Sequence, residues 1–124
     1  MKTMTYTRIV TDNNDKSHFA TFDMELAQKN YAPPAEPLFT SPAEPATQTL
    51  FLELPAGWIG EWHPTPVRQW LVLMSGTCSF EVESGEKLVA KAGDAIMLED
   101  MAGKGHKTVV LGNEPVRIAA IHLP

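Results

Sequence analysis

The chain is predicted to be an all-β single domain, a barrel or sandwich of short strands preceded by an irregular arm. Three observations predict this. From Thr49 onward, short apolar-rich runs alternate with Gly, Pro, Asn and Ser, the pattern of strands joined by tight turns. No helical period interrupts those runs, which excludes alternating strand–helix architectures. The 124 residues, 44% of them hydrophobic, suit one domain with one core.

The arm comes first. TYTRIV and HFATF read as short strands. MELAQKN, from Met24 to Asn30, is rich in helix formers but too short to stand as a helix. YAPPAEPLFTSPAEPATQ follows and holds five of the ten prolines, with PAEP at 34–37 and again at 42–45. Proline fixes φ and removes an amide donor, so this is an extended surface segment. Residues 1–47 are expected to wrap the domain as an arm, and 48–124 to form the barrel.

About eight strands are expected in the second part. They are TLFLEL, IGEWH, RQWLVLM, TCSFEVE, KLVA, AIMLED, HKTVVLG and VRIAAIHL. Alternation in TCSFEVE puts Cys78, Phe80 and Val82 on one face, so this strand is half buried. Cys78 is then a small buried hydrophobe, and as the single cysteine it forms no internal disulfide. RQWLVLM is apolar on both faces, with Gln69, Leu71 and Leu73 inward and Trp70, Val72 and Met74 outward. The outer row needs a cover, supplied by the arm or by a second subunit, and a homodimer through this sheet is expected.

The formal net charge of −5 excludes nucleic acid as the main partner, because phosphate recognition needs a basic face. No apolar run reaches the ~20 residues of a membrane-spanning helix. The polar start reads as no secretion signal, and a lone cysteine suits a reducing compartment, so a cytoplasmic protein is expected.

Polar residues with inward parity supply the candidate site. His63 and Thr65 are two apart, Gln69 opens the next inward row, and His106 opens a later strand after Gly-Lys-Gly. A pair of imidazoles with a third polar group is raw material for a metal site. Glu61 shares the parity of His63, and Asp100 shares a row with Ile96 and Leu98. Thr65, Glu61 and Asp100 are placed at the pocket wall, although a solvated strand-end acid is the plainer role for both carboxylates. Trp58, Trp62 and Trp70 are assigned to packing rather than to a ligand-stacking platform.

The spacing of Gly57, His63, Thr65, Gln69 and Gly76 resembles the first motif of the cupins, G-x5-H-x-H-x3–4-E-x6-G. The second motif, G-x5-P-x-G-x2-H-x3-N, keeps Gly93 and His106. Glu99 stands at its proline position, the loop before the histidine is two residues longer, and Val110 replaces the asparagine. The resemblance covers roughly residues 48–122 and implies a jelly-roll barrel with a small-molecule pocket at one mouth. It also implies one divalent metal (zinc, manganese, iron or nickel) held by His63, Gln69 and His106. Such a metal would act as a Lewis acid on a small oxygenated substrate. Thr65 and Gln69 replace the usual second histidine and glutamate, so the set carries no anionic ligand and falls short of the iron-oxygenase triad. A metal-free ligand-binding or sensor module, or a structural dimer with a vestigial site, is the competing class.

Overall fold

The computed structural model describes all 124 residues. Ten strands follow in order: β1 (Lys2–Thr11), β2 (Ser17–Lys29), β3 (Leu38–Thr40), β4 (Gln48–Leu54) and β5 (Gln69–Ser75), then β6 (Thr77–Glu81), β7 (Lys87–Lys91), β8 (Ala95–Leu98), β9 (Lys107–Leu111) and β10 (Val116–His122). There is no helix among them, and hence none long and apolar enough to cross a membrane. A seven-stranded sheet runs β3-β2-β1-β8-β5-β10-β4, and a three-stranded sheet runs β7-β6-β9. The fold is all-β, as the turn spacing predicts, and its two sheets are consistent with the jelly roll that the resemblance implies.

The principal core lies between the two sheets. Leu71 and Leu73 of β5, Cys78 and Phe80 of β6, Ile96 and Leu98 of β8, and Ile118 and Ala120 of β10 face one another there. Gln69 is buried on the same row as Leu71 and Leu73, as the alternation requires. A smaller cluster of Tyr6, Met97 and Leu123 lies apart from this core, and Met24, Trp70 and Ile121 pack on it. The proline-rich segment lies beside Trp70: Trp70 Nε1 donates to Glu44 Oε1 at 2.8 Å, and Thr47 N donates to the His122 carbonyl at 2.9 Å. The outer row of β5 is therefore covered by the arm at its Trp70 end, while Met74 at the other end is exposed.

Two local expectations are corrected. The first 47 residues are not irregular: β1 and β2 are the two longest strands, paired from Lys2↔Leu26 to Thr11↔Ser17. The helix-favouring residues from Met24 to Lys29 belong to β2, because pairing with β1 and β3 overrides intrinsic propensity. IGEWH, expected as a strand, forms only isolated bridges at Ile59↔Val109 and His63↔His106. Pro64 and Pro66 follow it, and each lacks the amide a ladder needs.

The hairpin joining β1 to β2 is fixed locally. Asp12 Oδ1 accepts from the amides of Asn14 and Lys16, and Asp15 sits at φ 59°. The Lys16 amide first, and the His18 ring second, hold the exposed Asp12 carboxyl below the usual carboxylate range. His18 is committed to this turn, with Nε2 2.6 Å from Asp12 Oδ2.

Burial pushes the Cys78 thiol up to about 11. At about pH 8 the native protein should therefore react with iodoacetamide roughly a hundredfold slower than the denatured chain. Comparable rates, read by mass spectrometry over time, would contradict the packing described for β6.

Candidate functional site

The site is built where two loops meet, one between β4 and β5 and one between β8 and β9. Neither loop is a strand at this point. They are joined by a pair of backbone bonds, His63 N to His106 O at 3.1 Å and His106 N to His63 O at 3.0 Å. A third bond, Thr65 N to Asp100 O at 3.0 Å, extends the seam. Gly105 makes this approach feasible: it sits at φ 74°, and a Cβ there would collide with the His63 carbonyl.

The β1–β2 hairpin holds the second loop from outside. Ser17 is fully buried, and its hydroxyl donates to the Gly105 carbonyl at 2.6 Å while accepting from the Glu83 amide at 3.0 Å. Glu83 Oε2 in turn accepts from the Ser17 amide at 3.1 Å. A Cβ at Gly103 would strike the Asp15 carbonyl, so the hairpin turn and the Gly-Lys-Gly loop are in close contact.

The result is a cavity of about 210 Å³ whose wall includes His63, Gln69 and His106. The imidazole centroids lie 4.8 Å apart, tilted by 55°. His63 Nδ1 donates to the Glu61 carbonyl at 2.8 Å. His106 Nδ1 lies 2.6 Å from Asp100 Oδ2, with both side chains buried. Gln69 Nε2 donates to Thr65 Oγ1 at 3.0 Å, and Thr65 Oγ1 donates to the Val67 carbonyl at 2.7 Å. In each case one end of the side chain is tied to the protein. Nε2 of both histidines and Oε1 of Gln69 make no hydrogen bond within the chain and are not among its buried, unpartnered polar atoms. These are the atoms left for a ligand.

Thr65, Glu61 and Asp100, placed at the wall by parity, do not line the cavity. Thr65 stands behind Gln69, and Asp100 stands behind His106. Glu61 contributes its backbone carbonyl to His63. Trp58 and Thr108 line the cavity instead, and the sequence reading assigned them no such role. Thr108 was accessible to parity, being two residues after His106 on the same row. Trp58 was not, because its segment lacks a regular strand and parity has no meaning there. The remaining wall is mostly aliphatic, including Leu52, Leu54, Leu71 and Ile118. Trp62 and Trp70 are not on the wall; the Lys104 ammonium lies over the Trp62 ring, 4.8 Å from its centroid. No group of three or more His, Cys, Asp or Glu side chains is so arranged that it could hold a metal ion by itself.

The family model described as "Cupin domain" matches residues 50–122. The chain belongs to the cupin family. Among solved structures, this cupin is similar to the cupin domain of Schizosaccharomyces pombe Cnp3. The two share 12% identity at a TM-score of 0.54, over 99% of this chain and 84% of that one. It is also similar to a putative ethanolamine utilization protein Q from Salmonella typhimurium, at 16% identity and a TM-score of 0.47, over 100% and 98% of the two chains. No curated protein matches it. At 12% identity the likeness to the Cnp3 domain concerns fold alone, and the span matched by the family model agrees with the region that carries the motif spacing.

Ser17 ties the hairpin to the His106 loop, so Ser17→Ala should leave the Gly105 carbonyl and the Glu83 amide without that partner. Leaving such buried groups unsatisfied costs about 1–3 kcal/mol each. Urea denaturation should show a lowered midpoint with an unchanged slope; an unchanged midpoint would mean the clamp contributes nothing.

Proposed function

We propose that this cupin binds a small oxygen-bearing molecule in the cavity walled by His63, Gln69 and His106, together with a divalent metal held by those three side chains. The observation that carries the reading is the shared arrangement of the two imidazoles. Each has Nδ1 engaged by an oxygen of the protein and Nε2 left for the same cavity. Histidines that ligate metals are oriented in this way by a carbonyl or carboxylate behind them. Gln69 adds a neutral carbonyl oxygen, aimed by its bond to Thr65.

The donor set fits a weakly held ion. Two imidazoles and an amide carry no negative charge, and no acid stands on the cavity wall to offset a dication. When bound, the metal would supply Lewis-acid polarisation of a substrate oxygen. The chain's own residues orient the ligand: the aliphatic wall offers it an apolar surface, and Trp58 and Thr108 bound the space a substrate body would fill.

A second reading is supported by that same lack of an acidic ligand. In it the pocket is a metal-free binding module, and the three acceptor atoms receive hydrogen bonds from a ligand directly.

Elemental analysis after supplementation with zinc, manganese, iron and nickel separates the two. The metal reading expects near-stoichiometric metal that a chelator removes, and at least a tenfold loss of affinity in His106→Ala. Less than about one tenth of a metal per chain would overturn it. Thermal stabilisation by a small ligand that persists in EDTA would then support the binding module.

A further inference from the structure

We propose that Asp100 is a positioning residue that holds His106 in the Nδ1–H tautomer, so that its Nε2 faces the cavity as an acceptor. The buried pair carries the argument. Asp100 is 0% exposed and His106 3%. Oδ2 of Asp100 lies 2.6 Å from His106 Nδ1, while Oδ1 is buried with no hydrogen-bond partner at all. A carboxylate accepts and does not donate, so it places the imidazole proton on Nδ1 and leaves a lone pair on Nε2. His63 is set the same way by a group that only accepts, the Glu61 carbonyl. Gln69 turns its amide nitrogen to Thr65 and leaves its oxygen free.

The unpartnered Oδ1 makes the role of Asp100 specific to a carboxylate. An amide of the same shape meets that empty surrounding in one of two orientations. If the asparagine oxygen faced Nδ1, its NH₂ would take the place of Oδ1, a buried donor group without an acceptor. If the NH₂ faced Nδ1, one N–H would donate to it, and the second N–H and the carbonyl oxygen would lack partners. The second arrangement leaves one unmet N–H instead of two, and a buried N–H without an acceptor is the rarer of the two defects. That arrangement requires Nδ1 to accept, and so moves the proton to Nε2. Asp100→Asn should therefore turn one acceptor of the cavity into a donor with almost no change in shape.

The consequence for ligands rests on the proposed pocket reading; the tautomer does not. In the wild type, three convergent acceptors favour a cation or a ligand with hydrogen-bond donors. In Asp100→Asn, the Nε2 proton opposes a cation.

Long-range proton–nitrogen NMR of the ¹⁵N-labelled full chain tests this at about pH 8.5, well above the ordinary imidazole range. The His106 signals are assigned by their loss in His106→Gln. The wild type should show a protonated Nδ1 and an unprotonated Nε2 at His106, and Asp100→Asn should show the reverse. Zinc affinity measured by calorimetry should fall tenfold or more in Asp100→Asn. A protonated Nε2 in the wild type, or an unchanged tautomer in the variant, overturns the proposal. Should Asp100→Asn fail to fold, the wild-type spectrum alone decides. If the wild type shows the expected tautomer but takes up no zinc, the metal reading fails and the role of Asp100 stands.

Discussion

The site depends on one short piece of backbone pairing, the two reciprocal hydrogen bonds between His63 and His106. These residues lie outside every strand, and the Ile59↔Val109 bridge and the Thr65 N to Asp100 O bond flank them on either side. The bonds bring two imidazoles into contact at one cavity and set their order along its rim. The approach is close enough to exclude any side chain at Gly105. What stands behind each loop then matters more than what lines it. Ser17 holds the Gly105 carbonyl from the hairpin side, and Asp100 meets both the Thr65 amide and the His106 ring. The first residues of the chain thus bear on a site about ninety positions away.

Glu99 shows how a departure from the family motif is absorbed. It stands at the motif's proline position. Its amide donates to the Ile9 carbonyl at 2.8 Å, and its carboxylate meets Arg8 Nη1 at 3.2 Å and Arg68 Nε at 2.6 Å. Proline would lose the amide bond to β1. The two ion pairs are partly exposed, so each contributes at most about 1 kcal/mol. Their use is geometric: they tie β1 and the approach to β5 to the residue next to Asp100. Since β1 pairs with β8 in parallel register from Thr7↔Ile96 to Ile9↔Leu98, the strand and the ion pairs fix the same corner.

How much of this was legible in the sequence follows from where periodicity holds. Inside β5 and β6 the alternation placed Gln69, Leu71, Cys78 and Phe80 correctly, because a pleated strand forces successive side chains to opposite faces. Inward parity drew His63, Gln69 and His106 together, and the spacing of His63 and Gln69 to flanking glycines supported the grouping. Parity misled where it was carried past a strand end. β8 stops at Leu98, so Asp100 leaves the row of Ile96 and Leu98 and lies behind His106 rather than on the cavity wall. It misled again at IGEWH, where prolines prevent a ladder. The long β1–β2 hairpin was underestimated because its outer half is largely exposed and shows little apolar alternation. Its register comes from pairing between strands, which no local window contains.

The central proposal is that His63 and His106 hold one metal ion through their Nε2 atoms. Anomalous diffraction from a crystal soaked in zinc tests it most directly. A single peak is expected in the cavity, about 2.1 Å from Nε2 of both histidines. A peak bound to one imidazole alone, or none in the cavity at saturating zinc, would contradict it.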